Sequence, residues 1–125
     1  MIEGSVNAAY EAVVSLFLRG PAGRAMEVEA VVDTGFNRFV ALPLEIITAL
    51  GTPPVGSNRV MLGDGSEVFL DVYGVTVLWD GVPKHVDAYA ADATPLIGMR
   101  LLDDHSLYVE VEDGGRVVIE PKATG

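Results

Sequence analysis

The chain has no cysteine. That excludes disulfides, thiolate catalysis and cysteine-ligated zinc, and it says nothing about compartment. Histidine is nearly absent, with two residues, and tryptophan occurs once. Basic residues are scarce: eight Lys and Arg stand against eighteen Asp and Glu, for a formal net charge of -10. Such a surface repels phosphate backbones, so nucleic acid and anionic membranes are poor partners. No apolar run approaches the roughly 20 residues of a membrane helix. Met1-Ile2-Glu3-Gly4 lacks the basic start and apolar stretch of a signal peptide, so the expected location is the cytoplasm. No linker, low-complexity tract or block of like charge divides the chain, and its 125 residues suit one domain, 1–125.

What is present is apolar and punctuated. Half the residues are hydrophobic and 21% are charged, the balance of a globular chain. Fourteen glycines and seven prolines cut it into short segments. Alternation predicts a strand over Asn7–Leu18, with Tyr10, Ala12, Val14, Leu16 and Leu18 inward. After the turn Arg19-Gly20-Pro21-Ala22-Gly23, Arg24–Val32 reads as a second strand with Met26, Val28, Ala30 and Val32 inward. It delivers Val31-Val32-Asp33-Thr34-Gly35: an apolar strand ending in a carboxylate, a hydroxyl and a turn-permitting glycine.

Phe39-Val40-Ala41-Leu42 is a short apolar run. Pro43 then opens a helix over 44–50, with Ile46, Ile47 and Leu50 on one face and Gly51 as its cap. Thr52-Pro53-Pro54-Val55-Gly56 reads as a break. Asn58–Leu62 and Glu67–Leu78 flank the Asp-Gly turn Gly63-Asp64-Gly65-Ser66, with a bulge expected at Gly74. Asp80-Gly81 turns the chain into Pro83–Ala90. Thr94-Pro95-Leu96-Ile97-Gly98 precedes a helical turn, Met99-Arg100-Leu101-Leu102. Leu107–Val111 and Arg116–Ile119 form a last, self-contained hairpin around Asp113-Gly114-Gly115. Seven or eight short strands with one or two short helices imply an all-β fold, a closed antiparallel β-barrel.

Asp33-Thr34-Gly35 after an apolar strand, followed some sixty residues later by Leu96-Ile97-Gly98 before a helical turn, resembles the retropepsin-type aspartic proteases, closest to their small bacterial members. The likeness spans roughly residues 10 to 120 and also takes in the Pro-initiated helix and the Asp-Gly hairpin. It implies the acid-protease barrel and an aspartic endopeptidase needing no cofactor and no metal. One Asp-Thr-Gly per short chain implies a homodimer acting on a peptide or protein substrate, with Asp33 from each copy. Two carboxylates so close share one proton; one activates a water and the other hydrogen-bonds the peptide carbonyl.

By the same resemblance, Thr34 bonds across the two-fold axis and Gly35 lets substrate backbone approach. Leu96, Ile97 and Gly98 support the Asp33 loop from behind. The Gly63-Asp64-Gly65-Ser66 hairpin is the flap, and Phe36 borders the cleft. Phe36 stands where the family more often has a small or hydroxyl residue. Asn37 and Met99 replace an acid and an arginine that pair in retroviral members, which leaves Arg100 to meet Asp103 or Asp104. Leu107, Val109 and Val111, or Tyr108, are expected in the dimer interface. A reading from another class keeps the barrel as a non-catalytic dimeric module that binds a peptide or protein.

Other constellations are weaker. An aspartate phosphotransferase wants a second acid two places on, and that position is Gly35; it also needs long helices over a parallel sheet. His85, Asp87, Asp103 and His105 lack metal-ligand spacing. Gly63-Asp64-Gly65 lacks the lysine and helix of a phosphate loop. Trp79 and the methionines Met26, Met61 and Met99 read as packing residues.

Overall fold

A computed structural model describes residues 1–61 and 64–123. Among the described residues ten strands form one sheet: β1 (Ile2–Val6), β2 (Ala12–Arg19), β3 (Ala25–Val32), β4 (Val40–Leu42), β5 (Pro54–Met61), β6 (Glu67–Trp79), β7 (Val82–Ala90), β8 (Leu96–Ile97), β9 (His105–Val109) and β10 (Arg116–Pro121). Their order is β5-β6-β7-β4-β8-β3-β2-β1-β10-β9. β2 also pairs with β6 through Phe17–Leu78, Leu18–Val77 and Arg19–Thr76, and those three pairs close β6-β7-β4-β8-β3-β2 into a six-strand barrel. This is the closed barrel expected from the alternation. It is mixed rather than wholly antiparallel, because β3 runs parallel to β8 and β4 parallel to β7.

The alternating residues of each strand fill the barrel. Val14, Leu16 and Leu18 of β2, Ala30 of β3, and Val75, Val77 and Trp79 of β6 are buried, with Val117 and Ile119 of β10 against them. A buried valine or leucine contributes about 1.5–3 kcal/mol. Trp79 therefore belongs to the core. The methionines divide: Met26 packs on the core, whereas Met61 and Met99 are exposed. The helix α1 (Leu44–Leu50) lies where proline and apolar spacing place it, burying Ile47 and Leu50. Gly51 ends it in the left-handed region at φ 74°, its N–H donating to the carbonyls of Ile47 and Thr48.

Several boundaries differ from the sequence expectation. The first strand is β1, and residues 7–10 form a turn in which Tyr10 is exposed at φ 61° instead of facing the core. The turn is stabilised locally: the Asn7 side-chain oxygen accepts the N–H groups of Ala9 and Glu11. β6 runs unbroken past Gly74, and the irregularity lies on its partner, between Pro54 and Gly56 of β5. The last hairpin is not self-contained, since β10 pairs with β1 as well as β9. Leu62 and Gly63 fall outside the described residues, so the strand end and turn expected there are left at Met61 and Asp64. Among the described residues no helix is long and apolar enough to cross a membrane.

Candidate active site

Asp33 stands at the point where β3 leaves the sheet. Its position is fixed by β8, which is inserted between β3 and β4. The ladder pairs Val31 with Leu96 and Val32 with Ile97. Val31 N–H donates to Pro95 O and Asp33 N–H to Ile97 O, both at 2.9 Å. Beyond Asp33 the chain turns at once: Phe36 N–H donates to Asp33 O at 3.1 Å, and Gly35 N–H to the Asp33 carboxylate at 2.9 Å. Asp33 is half-buried, while Thr34 and Gly35 are exposed.

Gly98 supports the loop from behind. It is buried, and its N–H donates to Phe39 O at 2.9 Å. A Cβ at this position would lie 2.0 Å from Arg38 O and 2.8 Å from Phe36 O. Only glycine fits between those two carbonyls. Ile97 is fully buried, and Leu96 is half-buried beside Asp33.

Asp33 and Thr34 line an open groove of about 420 Å³ with mostly apolar walls: Val31, Val32 and Leu96 on one side, and Leu107, Val109 and Val111 on the other. Glu11 also lines it, its carboxylate accepting from the Asn7 amide at 3.0 Å. Leu107 and Val109 thus face the same space as Asp33. Tyr108 projects from the opposite face of β9, with the Arg116 guanidinium 5.7 Å from its ring centre.

Phe36, expected at the border of the cleft, packs against the barrel. It is half-buried, its ring meeting Tyr89 edge-to-face at 6.4 Å and 85°. The β5–β6 hairpin carries the residues that the sequence reading places at a flap. At its tip Ser66 donates both its hydroxyl (2.6 Å) and its N–H (2.9 Å) to Asp64. These bonds hold the Asp64 carboxyl below its ordinary value of 3.8. Asp64 therefore acts as a turn former, and the Ser66 hydroxyl is already engaged. Gly65 adopts φ 86°, and Gly63 lies outside the described residues.

The remaining expected contacts separate. Arg100 forms no ion pair with Asp103 or Asp104 among the described residues. His85 bonds Thr76 at 2.7 Å, whereas His105 bonds Trp79 and the Asp103 carbonyl. Among the described residues no three metal-capable side chains converge. The sequence reading passed over Tyr89, Asn58 and Arg38, which meet beside the Asp33 loop. The available signal was the run Ala88-Tyr89-Ala90-Ala91, too apolar for a strand with one wet face.

No family model matches the chain, and no curated protein matches it in sequence. Among solved structures it is similar to a retropepsin-like aspartic protease from Rickettsia conorii, at a TM-score of 0.57. The match covers 97% of this chain and 90% of that one, with 15% of residues identical. The closed mixed barrel agrees with that likeness. The fold of this chain is that of the retropepsin-like aspartic proteases.

Proposed function

We propose that the chain is an aspartic endopeptidase acting as a homodimer, with one Asp33 from each copy. The observation that carries this reading is the setting of Asp33. A half-buried carboxylate is pinned by backbone bonds to β8 and opens onto a groove beside exposed Thr34 and Gly35. Rigid placement by main-chain bonds is what a catalytic carboxylate requires. The chain supplies one such group, and the peptide chemistry needs two.

In the dimer the ionised Asp33 takes a proton from a water as the water attacks the scissile carbonyl. The protonated Asp33 of the other copy donates to the carbonyl oxygen and stabilises the tetrahedral intermediate. Thr34, exposed at the loop tip, faces its counterpart across the axis. Gly35 leaves room for substrate backbone, and the β5–β6 hairpin closes over the peptide. The second copy meets the groove wall formed by Leu107, Val109 and Val111, next to the loop it completes.

The test is cleavage of a diverse peptide library at about pH 4 to 6, a range suited to a shared-proton dyad. Wild type is expected to cleave, and Asp33→Asn to lose cleavage while remaining dimeric. If wild type binds peptides yet cuts none, the chain is a binding module built on this barrel. A monomer at high concentration would sink the shared site.

A further inference from the structure

Tyr89 is the next-to-last residue of β7, buried in the barrel wall at 1% exposure. Its backbone is held on both sides, by Ala41 of β4 and Val72 of β6. Its side chain meets two segments that no strand ladder joins directly, the loop after Asp33 and β5. The ring meets Phe36, which closes the turn begun by Asp33, in an edge-to-face contact. The Arg38 guanidinium lies 5.8 Å from the ring centre. The hydroxyl accepts a hydrogen bond from the Asn58 amide of β5 at 2.7 Å.

Asn58 lies on the hairpin arm opposite Leu70, on the face that carries the half-buried Val60, Val68 and Leu70. Beyond it toward the tip, the outer face carries exposed Met61 and Phe69. Apart from its ladder to β6, β5 has no neighbouring strand among the described residues. The Asn58–Tyr89 bond is thus a cross-tie from this edge strand to the barrel. A buried phenol that loses its partner is costly, so the hairpin is drawn toward the one position that satisfies it. The same ring bears on Phe36, whose carbonyl receives Met99 N–H at 2.7 Å behind the loop.

We infer that Tyr89 is a positioning residue that couples the height of the β5–β6 hairpin to the Asp33 loop through Asn58 on one side and Phe36 on the other. Phe36 supplies the loop's half of the contact. The inference rests on reading Asp33 as half of a catalytic site. In that setting Tyr89 touches neither substrate nor reacting atoms; it holds the arm that covers them.

The experiment is residue-resolved hydrogen exchange on the full chain, together with peptide kinetics. Tyr89→Phe removes one oxygen and leaves the ring contacts in place. It is expected to speed exchange in residues 54–61 and 67–73 by roughly five- to tenfold, the worth of one hydrogen bond. β2 and β10 stay unchanged. KM rises by a similar factor while kcat holds. Asn58→Leu does the same, and the double variant adds nothing further. Phe36→Leu, made in the loop, also quickens the hairpin. Unchanged hairpin exchange in Tyr89→Phe, a uniform rise across the barrel, additive effects in the double variant, or a Phe36→Leu effect confined to the loop would each overturn the coupling. Exchange needs no activity: a wild type that cuts no peptide overturns the protease reading and leaves the exchange data to decide the coupling.

Discussion

The backbone N–H of Asp33 donates to the carbonyl of Ile97 at 2.9 Å. The loop with the candidate catalytic carboxylate and the two-residue strand β8 are therefore held as one piece. Their sequence separation of some sixty residues vanishes in one parallel ladder.

The tightest point of that piece is Gly98. Gly98→Ala would place a methyl 2.0 Å from Arg38 O, 2.8 Å from Phe36 O and 2.7 Å from the Phe36 ring, and the two carbonyls are backbone that cannot swing aside. The expected cost is about 3 kcal/mol, measured as a loss in urea midpoint at constant m value. A midpoint equal to wild type would show that the Phe36–Arg38 segment relaxes freely.

Asp33→Asn should separate chemistry from structure. The asparagine side chain keeps an oxygen that can accept the Gly35 N–H now bound at 2.9 Å. Stability is expected to change by less than about 0.5 kcal/mol, since the swap leaves no cavity and keeps the acceptor for Gly35 N–H. Peptide cleavage is expected to fall by about a thousandfold or more, the worth of a positioned general base. Residual cleavage near wild type would place the chemistry elsewhere.

Val111 is 71% exposed at the end of the groove wall that also carries Leu107 and Val109. Val111→Glu puts a charge where the second copy is proposed to pack. Sedimentation should show dimer converting to monomer while the thermal midpoint of the isolated chain is retained. Truncation before Ser106 is a poorer probe, because it removes β10 and with it the core residues Val117 and Ile119. A Val111→Glu chain that stays fully dimeric would move the interface off this wall.

The tip of the β5–β6 hairpin has its own pH signature. Both Ser66 bonds favour the charged form of Asp64, so its folded-state pKa lies below 3.8. A depressed carboxyl contributes stability above its unfolded pKa and loses it as pH falls through the folded value. The turn should therefore stay intact across pH 4 to 6 and loosen only in stronger acid. An NMR titration of Asp64 is expected to give a midpoint under 3.8, and Ser66→Ala to raise it. A wild-type midpoint above 4 contradicts the geometry.

Local patterns in the sequence decided much of this molecule. Alternation marked the buried faces of β2 and β3, and Asp-Gly pairs marked the turns. Pro43 and Gly51 bounded the helix, and Asp33-Thr34-Gly35 with Leu96-Ile97-Gly98 pointed to the barrel. These are readable because turn chemistry and side-chain period act over a few residues. Ladder partners lie beyond that reach. Nothing within Leu96-Ile97 says that it will lie between β3 and β4, parallel to one and antiparallel to the other. Nothing in Ile2–Val6 names β10 as its neighbour. The closure through Phe17–Leu78 is likewise chosen by the barrel as a whole. Phe36 and Tyr89 show the same limit at the candidate site. Each reads alone as a bulky apolar residue. Only tertiary packing sets one ring against the other and gives the Asn58 amide a buried partner, because contacts of long sequence separation depend on the assembled sheet rather than on neighbours in the chain.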